Sequence, residues 1–161
     1  MLLIIRSITF FVLIKCAFAV QSPNLILINV DDLGWKDLGC YGSDVYETPN
    51  IDKLARNGLK FTNAYSACAV CSPTRAAIMT GRYPARLGVT DWIRARFQGG
   101  KIPKDKKNPS GWGGSKNRKV LCPQNALWME LEEVTIAEKL KEDGYATCHI
   151  GKWHLGADDW Y

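Results

Sequence analysis

Short apolar runs and helical patterns alternate along most of this chain. Residues 24–30 form an almost continuously apolar run of branched side chains, which is typical of a strand buried on both faces of a parallel sheet. Residues 59–65 alternate between apolar and polar positions as a strand does, and residues 145–150 form a third short run. The pattern therefore predicts three strands.

Three further segments carry helix start and stop signals. Residues 48–58 place Thr at the N-cap, Pro at the first helical position and Gly at the stop. Residues 73–80 predict a helix that Gly81 closes, and residues 135–144 combine a Thr-x-x-Glu capping box with a Gly stop. With residues 48–58 and 135–144 as crossover helices, the alternation predicts an α/β fold with a mostly parallel sheet.

Each predicted strand runs into a polar motif. In open α/β sheets, ligands bind beyond the carboxyl ends of the strands, so motifs that are far apart in sequence can meet there. The three motifs are Asp31 with Asp32, residues 71–75, and Lys152 with His154.

The first twenty residues have the composition of an export signal. Arg6 precedes an apolar stretch, and residues 17–19 have the small-x-small form that signal peptidase accepts. The stretch is short and is interrupted by Lys15, which argues against a stable membrane anchor. We therefore expect residues 1–19 to be a signal peptide and residues 20–161 to be the exported chain, in a secreted, periplasmic or lysosomal compartment.

A basic segment at residues 94–119 interrupts the alternation. It holds nine Lys or Arg residues against the single Asp105, within a chain of net charge +5. Its Gly and Pro content predicts a long solvated loop, and the alternative is a cationic rim that concentrates polyanionic substrates. The export signal and the lack of an aromatic-basic platform argue against a nucleic acid partner.

The exported part contains an odd number of cysteines, five. One thiol is therefore free, bonded between molecules or used for something else. If Cys71 is set aside, the others allow three disulfide connectivities or four reduced thiols. These others are Cys40, Cys68, Cys122 and Cys148.

Asp31 and Asp32 are adjacent carboxylates at the end of an apolar run. Their mutual repulsion near low-dielectric walls favours a compensating cation, and a hard divalent ion with oxygen ligands fits. The alternative for such a pair is a helix cap or a solvated turn.

Residues 71–75 read Cys-Ser-Pro-Thr-Arg, and Pro73 presets the first turn of a helix. Cys71 then lies at a helix N-terminus with Arg75 one turn away. Backbone N–H groups, the helix dipole and a guanidinium together favour a tetrahedral oxyanion. The alternatives are a structural disulfide for Cys71 and a surface position for Arg75.

This run, followed by Thr-Gly-Arg at residues 80–82, resembles the signature of the type I sulfatases of the alkaline phosphatase superfamily. Other segments match that family in its order and spacing, and the similarity covers essentially the whole exported chain except the basic loop. In its general sequence pattern the chain is similar to the arylsulfatase A and N-acetylgalactosamine-6-sulfatase branch. The other matching segments are residues 29–34, 48–52 and 151–156.

The resemblance implies that Cys71 is the precursor of the nucleophile. In this family a formylglycine-generating enzyme oxidises the signature cysteine to formylglycine during export, and the aldehyde hydrates to a geminal diol. One diol oxygen attacks the sulfate sulfur and releases the alcohol. The second hydroxyl then expels sulfate and restores the aldehyde, a step that an unmodified cysteine lacks.

The resemblance also implies a calcium ion and roles for the other motif residues. The ion polarises the sulfate oxygens and favours the ionised diol. Arg75 holds the modified side chain, Lys152 binds a sulfate oxygen, and His154 bonds the diol and acts as base in sulfate release. The implied metal ligands are Asp31, Asp32 and the modified Cys71.

The fold implied by the resemblance is an alkaline phosphatase-like α/β/α sandwich with a mixed, mostly parallel sheet. This chain is its N-terminal part only. A complete member continues beyond residues 151–156 with an Asp-Asn pair for the metal and a further His and Lys for sulfate, and none of these can be located here. Since calcium takes six to eight oxygen ligands, the chain alone is expected to fall short of activity.

The expected reaction is hydrolysis of sulfate esters, on a sulfated carbohydrate or an aryl sulfate. The alternatives are phosphoester or phosphonate hydrolysis within the same superfamily, and a non-catalytic fragment that binds sulfated glycans through its basic loop. We interpret His149 as a buried or capped strand histidine and Trp153 as a packing residue. The sequence leaves the sugar and the oligomeric state open.

Overall fold

The computed structural model describes residues 22–93, 107–113 and 119–156. The chain divides into two units, residues 1–30 and residues 31–161. The predicted signal peptide lies outside the described residues, as does most of the predicted basic loop. No helix in the described part is long and apolar enough to cross a membrane.

The described part of the first unit, residues 22–30, contains no strand. Its apolar side chains are exposed, with Ile26 85% and Ile28 76% accessible. A strand exists through hydrogen bonds to a neighbouring strand, and the ladder found in the described residues does not include this segment. The strand predicted at residues 24–30 is therefore not formed in this structure.

The described part of the second unit contains short helices joined by long irregular segments. Within the described ranges, two 3-10 helices come first and four α-helices follow in chain order. The 3-10 helices are Trp35–Asp37 and Gly39–Tyr41, and the α-helices are α1 (Pro49–Asn57), α2 (Cys71–Thr80), α3 (Pro84–Leu87) and α4 (Ile136–Glu142).

Local signals explain where three of these helices begin and end. Helix α1 has Thr48 at its N-cap and Pro at its first position. Helix α4 begins with a capping box, because the Thr135 hydroxyl accepts the Glu138 N–H and the Glu138 carboxylate accepts the Thr135 N–H. Helix α2 ends at Gly81, which takes φ +68°. The three predicted helices are confirmed, and α2 begins at Cys71, two residues earlier than predicted.

One antiparallel ladder of two strands lies in the described part of the second unit. Strand β1 (Trp112–Gly113) pairs with strand β2 (Cys122–Pro123), and Trp112 faces Pro123. β1 lies inside the segment that composition predicts to be a solvated loop, so that segment contains at least one ordered pairing.

The strands predicted at residues 59–65 and 145–150 are not formed. Leu59 and Ile150 are 81% and 91% exposed, although the pattern predicts them to be buried in a sheet. Apolar alternation identifies a segment that suits a sheet, but the hydrogen bonds must come from a neighbouring strand. The parallel sheet therefore stays a prediction for this chain.

The core lies against helix α2. Ala76 of α2 is fully buried, and so is Leu155 at the end of the third polar motif. Ile93 is also in this cluster, so the core anchors the chain directly beside Trp92 and His154. The cluster contains Ala76, Leu87, Val89, Ile93, Ala126, Met129 and Leu155.

Two residues near the end of the described chain test the predictions about packing. Trp153 is partly buried and packs against the core cluster, which confirms it as a packing residue. His149 is exposed, and its ring meets Trp153 edge to face with centroids 5.3 Å apart. The prediction of a buried or capped His149 is wrong, because the strand that would have enclosed it is not formed.

Candidate active site

The first turn of helix α2 begins with Cys71 and has no side-chain cap. Its N-cap is Val70, whose side chain has no hydrogen-bonding atom. Ser72 behind it is fully buried, and the Thr74 hydroxyl donates to the Cys68 carbonyl at 2.8 Å. The turn is thus held in place from behind, while no cap side chain occupies its backbone N–H groups, which is the arrangement that suits an anion.

Asp31 connects helix α2 to the third polar motif. Its Oδ1 accepts a hydrogen bond from Arg75 Nη2 at 3.0 Å, and its Oδ2 accepts one from Lys152 Nζ. Arg75 also donates to the backbone carbonyl of Lys152. The Arg75 side chain is only 11% exposed. Three of the predicted site residues, one from each motif, therefore form a single charged cluster.

The charges in this cluster reinforce one another. The hydrogen bond from Lys152, and then the one from Arg75, hold the pKa of Asp31 below its ordinary value. The hydrogen bond to Asp31 raises the pKa of Lys152, and the electrostatic interaction with Cys71 acts in the same direction. Lys152 is therefore held as an ammonium ion within electrostatic range of the Cys71 sulfur.

His154 lies against residues 92 and 93 through one ring nitrogen. Its Nε2 is 2.6 Å from Trp92 Nε1 and 3.0 Å from the Ile93 carbonyl oxygen. The Ile93 N–H donates to the Ser72 hydroxyl at 3.1 Å, so Ile93 connects His154 to the first turn of α2. The other ring nitrogen, Nδ1, is buried and has no hydrogen-bond partner in the described structure.

Asp32 and His154 share an unusual backbone conformation. Among the described residues they alone, apart from glycines, have positive φ, at 58° and 60°. Such conformations cost energy and persist where the surrounding structure imposes them, often at functional sites. Asp32 itself is exposed and directly follows Asp31.

The described residues do not form a complete calcium site. Within the described ranges, no group of three or more His, Cys, Asp or Glu side chains is placed to hold a metal ion. Both carboxylate oxygens of Asp31 are engaged by cations. Since calcium takes six to eight oxygen ligands, Asp31, Asp32 and Cys71 fall short of its coordination sphere.

The five cysteines that the structure describes are all free thiols. For the four that lie outside the signature, the structure therefore shows the reduced alternative. Cys71 is half-buried, whereas Cys122 and Cys148 are exposed.

Asn125 is a supporting residue that the sequence does not reveal. Its side-chain oxygen accepts the N–H groups of Thr90 and Asp91 at 3.0 and 2.9 Å. Its Nδ2 donates to the carbonyls of Asp91 and Trp92 at 2.9 and 3.2 Å. This clamp, together with the tryptophan that it holds, is visible only in the tertiary structure, because an isolated Asn in an irregular segment has no local signature.

Comparison with known proteins identifies the family. The sulfatase family matches residues 23–159. Arylsulfatase A of Homo sapiens is 42% identical over 136 residues, which cover 84% of this chain and 22% of that protein. Steryl-sulfatase of Homo sapiens is 41% identical over 138 residues, which cover 86% of this chain and 20% of that protein. N-acetylgalactosamine-6-sulfatase of Canis lupus familiaris is 39% identical over 141 residues, which cover 87% of this chain and 23% of that protein.

This chain belongs to the sulfatase family. The resemblance carried by the Cys-Ser-Pro-Thr-Arg run is thus confirmed, and membership implies the alkaline phosphatase-like α/β fold. The chain spans about a fifth of the length of the curated relatives that it matches.

Proposed function

We propose that this chain supplies the nucleophile and part of the anion-binding site of an exported, calcium-dependent enzyme that hydrolyses sulfate esters. The observation that carries this proposal is the charged cluster of Asp31, Arg75 and Lys152 beside the helix start at Cys71. Family membership and the names of the similar proteins support the reaction class.

In this proposal the cations and the uncapped helix start bind the sulfate group. The Lys152 ammonium has further N–H donors besides the one that bonds Asp31, and its side chain is 43% exposed, which suits contact with a sulfate oxygen. Arg75 is nearly buried and holds Asp31, which suits a residue that orients its neighbours. Once converted to formylglycine, Cys71 supplies a geminal diol as the nucleophile. His154 exchanges a proton with the reacting groups.

We also propose that Asp31 and Asp32 give oxygens to calcium, with further ligands from outside the described residues. The lowered pKa of Asp31 supports this role, because an ionised carboxylate is the form that a hard cation binds. The exposed position of Asp32, directly after Asp31, leaves its carboxylate accessible.

The proposal includes export and maturation. Residues 1–19 would direct the chain out of the cytoplasm, and a formylglycine-generating enzyme would act on residues 71–75 during export. The substrate class is a sulfated carbohydrate or an aryl sulfate. The nine cationic residues at 94–119 support a polyanionic substrate through their charge alone.

The chemical state of Cys71 tests this function. In full-length protein from a host with the formylglycine-generating machinery, the tryptic peptide that ends at Arg75 should carry an aldehyde, with oxygen in place of the thiol sulfur. Cys71→Ala should abolish turnover of an aryl sulfate. The matched control is Cys122→Ala, which removes an exposed thiol and should retain wild-type activity.

Three outcomes would contradict the proposal. A free thiol or a disulfide at Cys71 in purified, active enzyme would exclude the formylglycine mechanism. Faster turnover of a matched aryl phosphate than of the aryl sulfate would support a phosphoester hydrolase instead. Retention of sulfated glycan without any turnover, and unchanged by Cys71→Ala, would support a binding role.

A further inference from the structure

Trp92 and His154 meet at a single nitrogen atom. Trp92 Nε1 lies 2.6 Å from His154 Nε2, and the two rings stand edge to face with an interplanar angle of 83°. An indole N–H donates a hydrogen bond and never accepts one. The contact is therefore a hydrogen bond only when Nε2 carries a lone pair.

The same contact disfavours the other neutral tautomer. A proton on Nε2 would face the indole proton across 2.6 Å, and two donors at that distance repel each other. An Nε2 proton could instead donate to the Ile93 carbonyl, 3.0 Å away. The bond to Trp92 and the bond to Ile93 thus belong to two different protonation states of the same nitrogen.

We propose that Trp92 is a positioning residue that holds Nε2 of His154 unprotonated, so that the neutral ring carries its proton on Nδ1. Nδ1 is buried and no described residue accepts a hydrogen bond from it. Because buried polar groups are normally paired, this N–H is suited to donate to an oxygen of a bound anion. Before the reaction, His154 is then a hydrogen-bond donor through its Nδ1–H.

The fold holds both partners in place. The four hydrogen bonds of Asn125 fix the backbone at Trp92, and Ile93 beside it is 5% exposed and bonded to Ser72. On the other side, Leu155 is fully buried, and its carbonyl accepts the Met129 N–H at 2.8 Å. The choice of tautomer is therefore imposed by anchored backbone on both sides of the contact.

The catalytic consequence rests on the proposed function and refines the role of His154. To accept a proton at Nε2, the ring must break its bond to Trp92. The new N–H then has the Ile93 carbonyl as its acceptor. Trp92 and Ile93 would therefore stabilise His154 before and after proton uptake, respectively.

The test is the tautomer itself, read from the ¹⁵N resonances of the histidine ring in full-length protein under alkaline conditions that leave histidine neutral. The His154 signals are assigned by their loss in His154→Gln. Wild-type protein should show Nε2 unprotonated and Nδ1 protonated. Trp92→Phe keeps an aromatic ring at this position and removes the N–H, so the proton should move to Nε2. The matched control is Trp112→Phe, which changes an exposed tryptophan ring in strand β1 and should leave the His154 signals unchanged.

Kinetics provide the second measurement. Trp92→Phe should lower kcat for an aryl sulfate at least about tenfold, with little change in KM. The reason is that the His154 ring then presents an unprotonated Nδ1 to the bound anion instead of an N–H. A wild-type Nε2 that is protonated would overturn the inference, and this outcome does not depend on whether the variant folds. An unchanged tautomer in folded Trp92→Phe would overturn it as well. If the wild-type protein hydrolyses no sulfate ester, the proposed function fails while the ¹⁵N result still decides the tautomer.

Discussion

Helices α2 and α4 begin in opposite ways. Helix α4 follows Thr135, whose hydroxyl and partner Glu138 satisfy the first backbone N–H groups. Helix α2 follows Val70, which provides no side-chain cap, and its first turn contains no acidic residue. A helix start presents unpaired backbone N–H groups and a partial positive charge, and in α2 the third position is Pro73, which has no N–H. Side chains of the protein meet that charge in α4, whereas α2 has no side-chain cap.

The side chains around the two helix starts follow the same division. At α4 the nearby charge is the Glu138 carboxylate, whose pKa is lowered by the Thr135 N–H and then by the Thr135 hydroxyl. At α2 the nearby side chains include Arg75 and Lys152, two cations that share Asp31. Cationic surroundings destabilise a helix start unless an anion offsets them, so α2 has the composition of a binding site and α4 that of a structural element.

Removing the guanidinium beside α2 should have the largest effect. We expect Arg75→Ala to lower kcat/KM for an aryl sulfate by about 10²- to 10³-fold per converted active site, since it removes a preorganised cation and releases Asp31. Mass spectrometry of the peptide that contains residue 71 gives the converted fraction for normalisation. The control is Arg82→Ala, because Arg82 pairs with Glu133 away from the cluster. Equal losses in both variants would show a general effect of arginine removal on stability instead.

Capping α2 should make the two helix starts alike. Val70 has the extended backbone of an N-cap, at φ −126° and ψ 159°, so Val70→Asp can place a carboxylate at the Ser72 N–H, since Pro73 has none. We expect a higher melting temperature and roughly tenfold lower affinity for inorganic sulfate, because the new anion occupies the position of the ligand. Val70→Ala provides the size control and should bind sulfate as the wild type does. Unchanged sulfate affinity in Val70→Asp would mean that the helix start does not contact the anion.

The capping box of α4 should give the smallest effect, on stability and not on activity. The pKa of Glu138 is lowered below 4.5 on folding, so its stabilising contribution is fully present above about pH 4.5 and is lost as pH falls through the lowered value. Urea unfolding of wild type and Glu138→Gln should therefore differ at pH 7 and converge in acid. Thr135→Ala should cost about 1 kcal/mol and leave sulfatase activity intact. A constant wild-type to Glu138→Gln difference across this range would reject the linkage.

The helices could be predicted because their signals are local. Thr48 with Pro49, and Thr135 with Glu138, set helix boundaries within one turn of sequence, and the structure confirms them. The strands could not be verified in the same way, because a strand needs a partner that periodicity does not provide. Ile28 and Ile150 have the right composition for a buried sheet, yet both side chains are exposed.

The candidate site was predictable to the extent that its residues lie in recognisable motifs. Asp31, Arg75 and Lys152 were expected to meet at the carboxyl ends of strands, and they meet in this structure without the strands. In this structure they meet through charge pairing, and the core cluster packs beneath α2. Trp92 was not predictable, since its importance comes from a contact with His154, 62 residues away in sequence.

Asn125 uses both ends of its amide to hold the loop that carries Trp92. Hydrolysis of that amide to a carboxylate is a common form of chemical ageing in stored proteins. The change would replace the Nδ2 donor with a charged oxygen that faces the carbonyls of Asp91 and Trp92. Two attractive contacts would become repulsive without any change in side-chain size. The stability of this loop during storage would then depend on a single amide that lies outside the charged cluster.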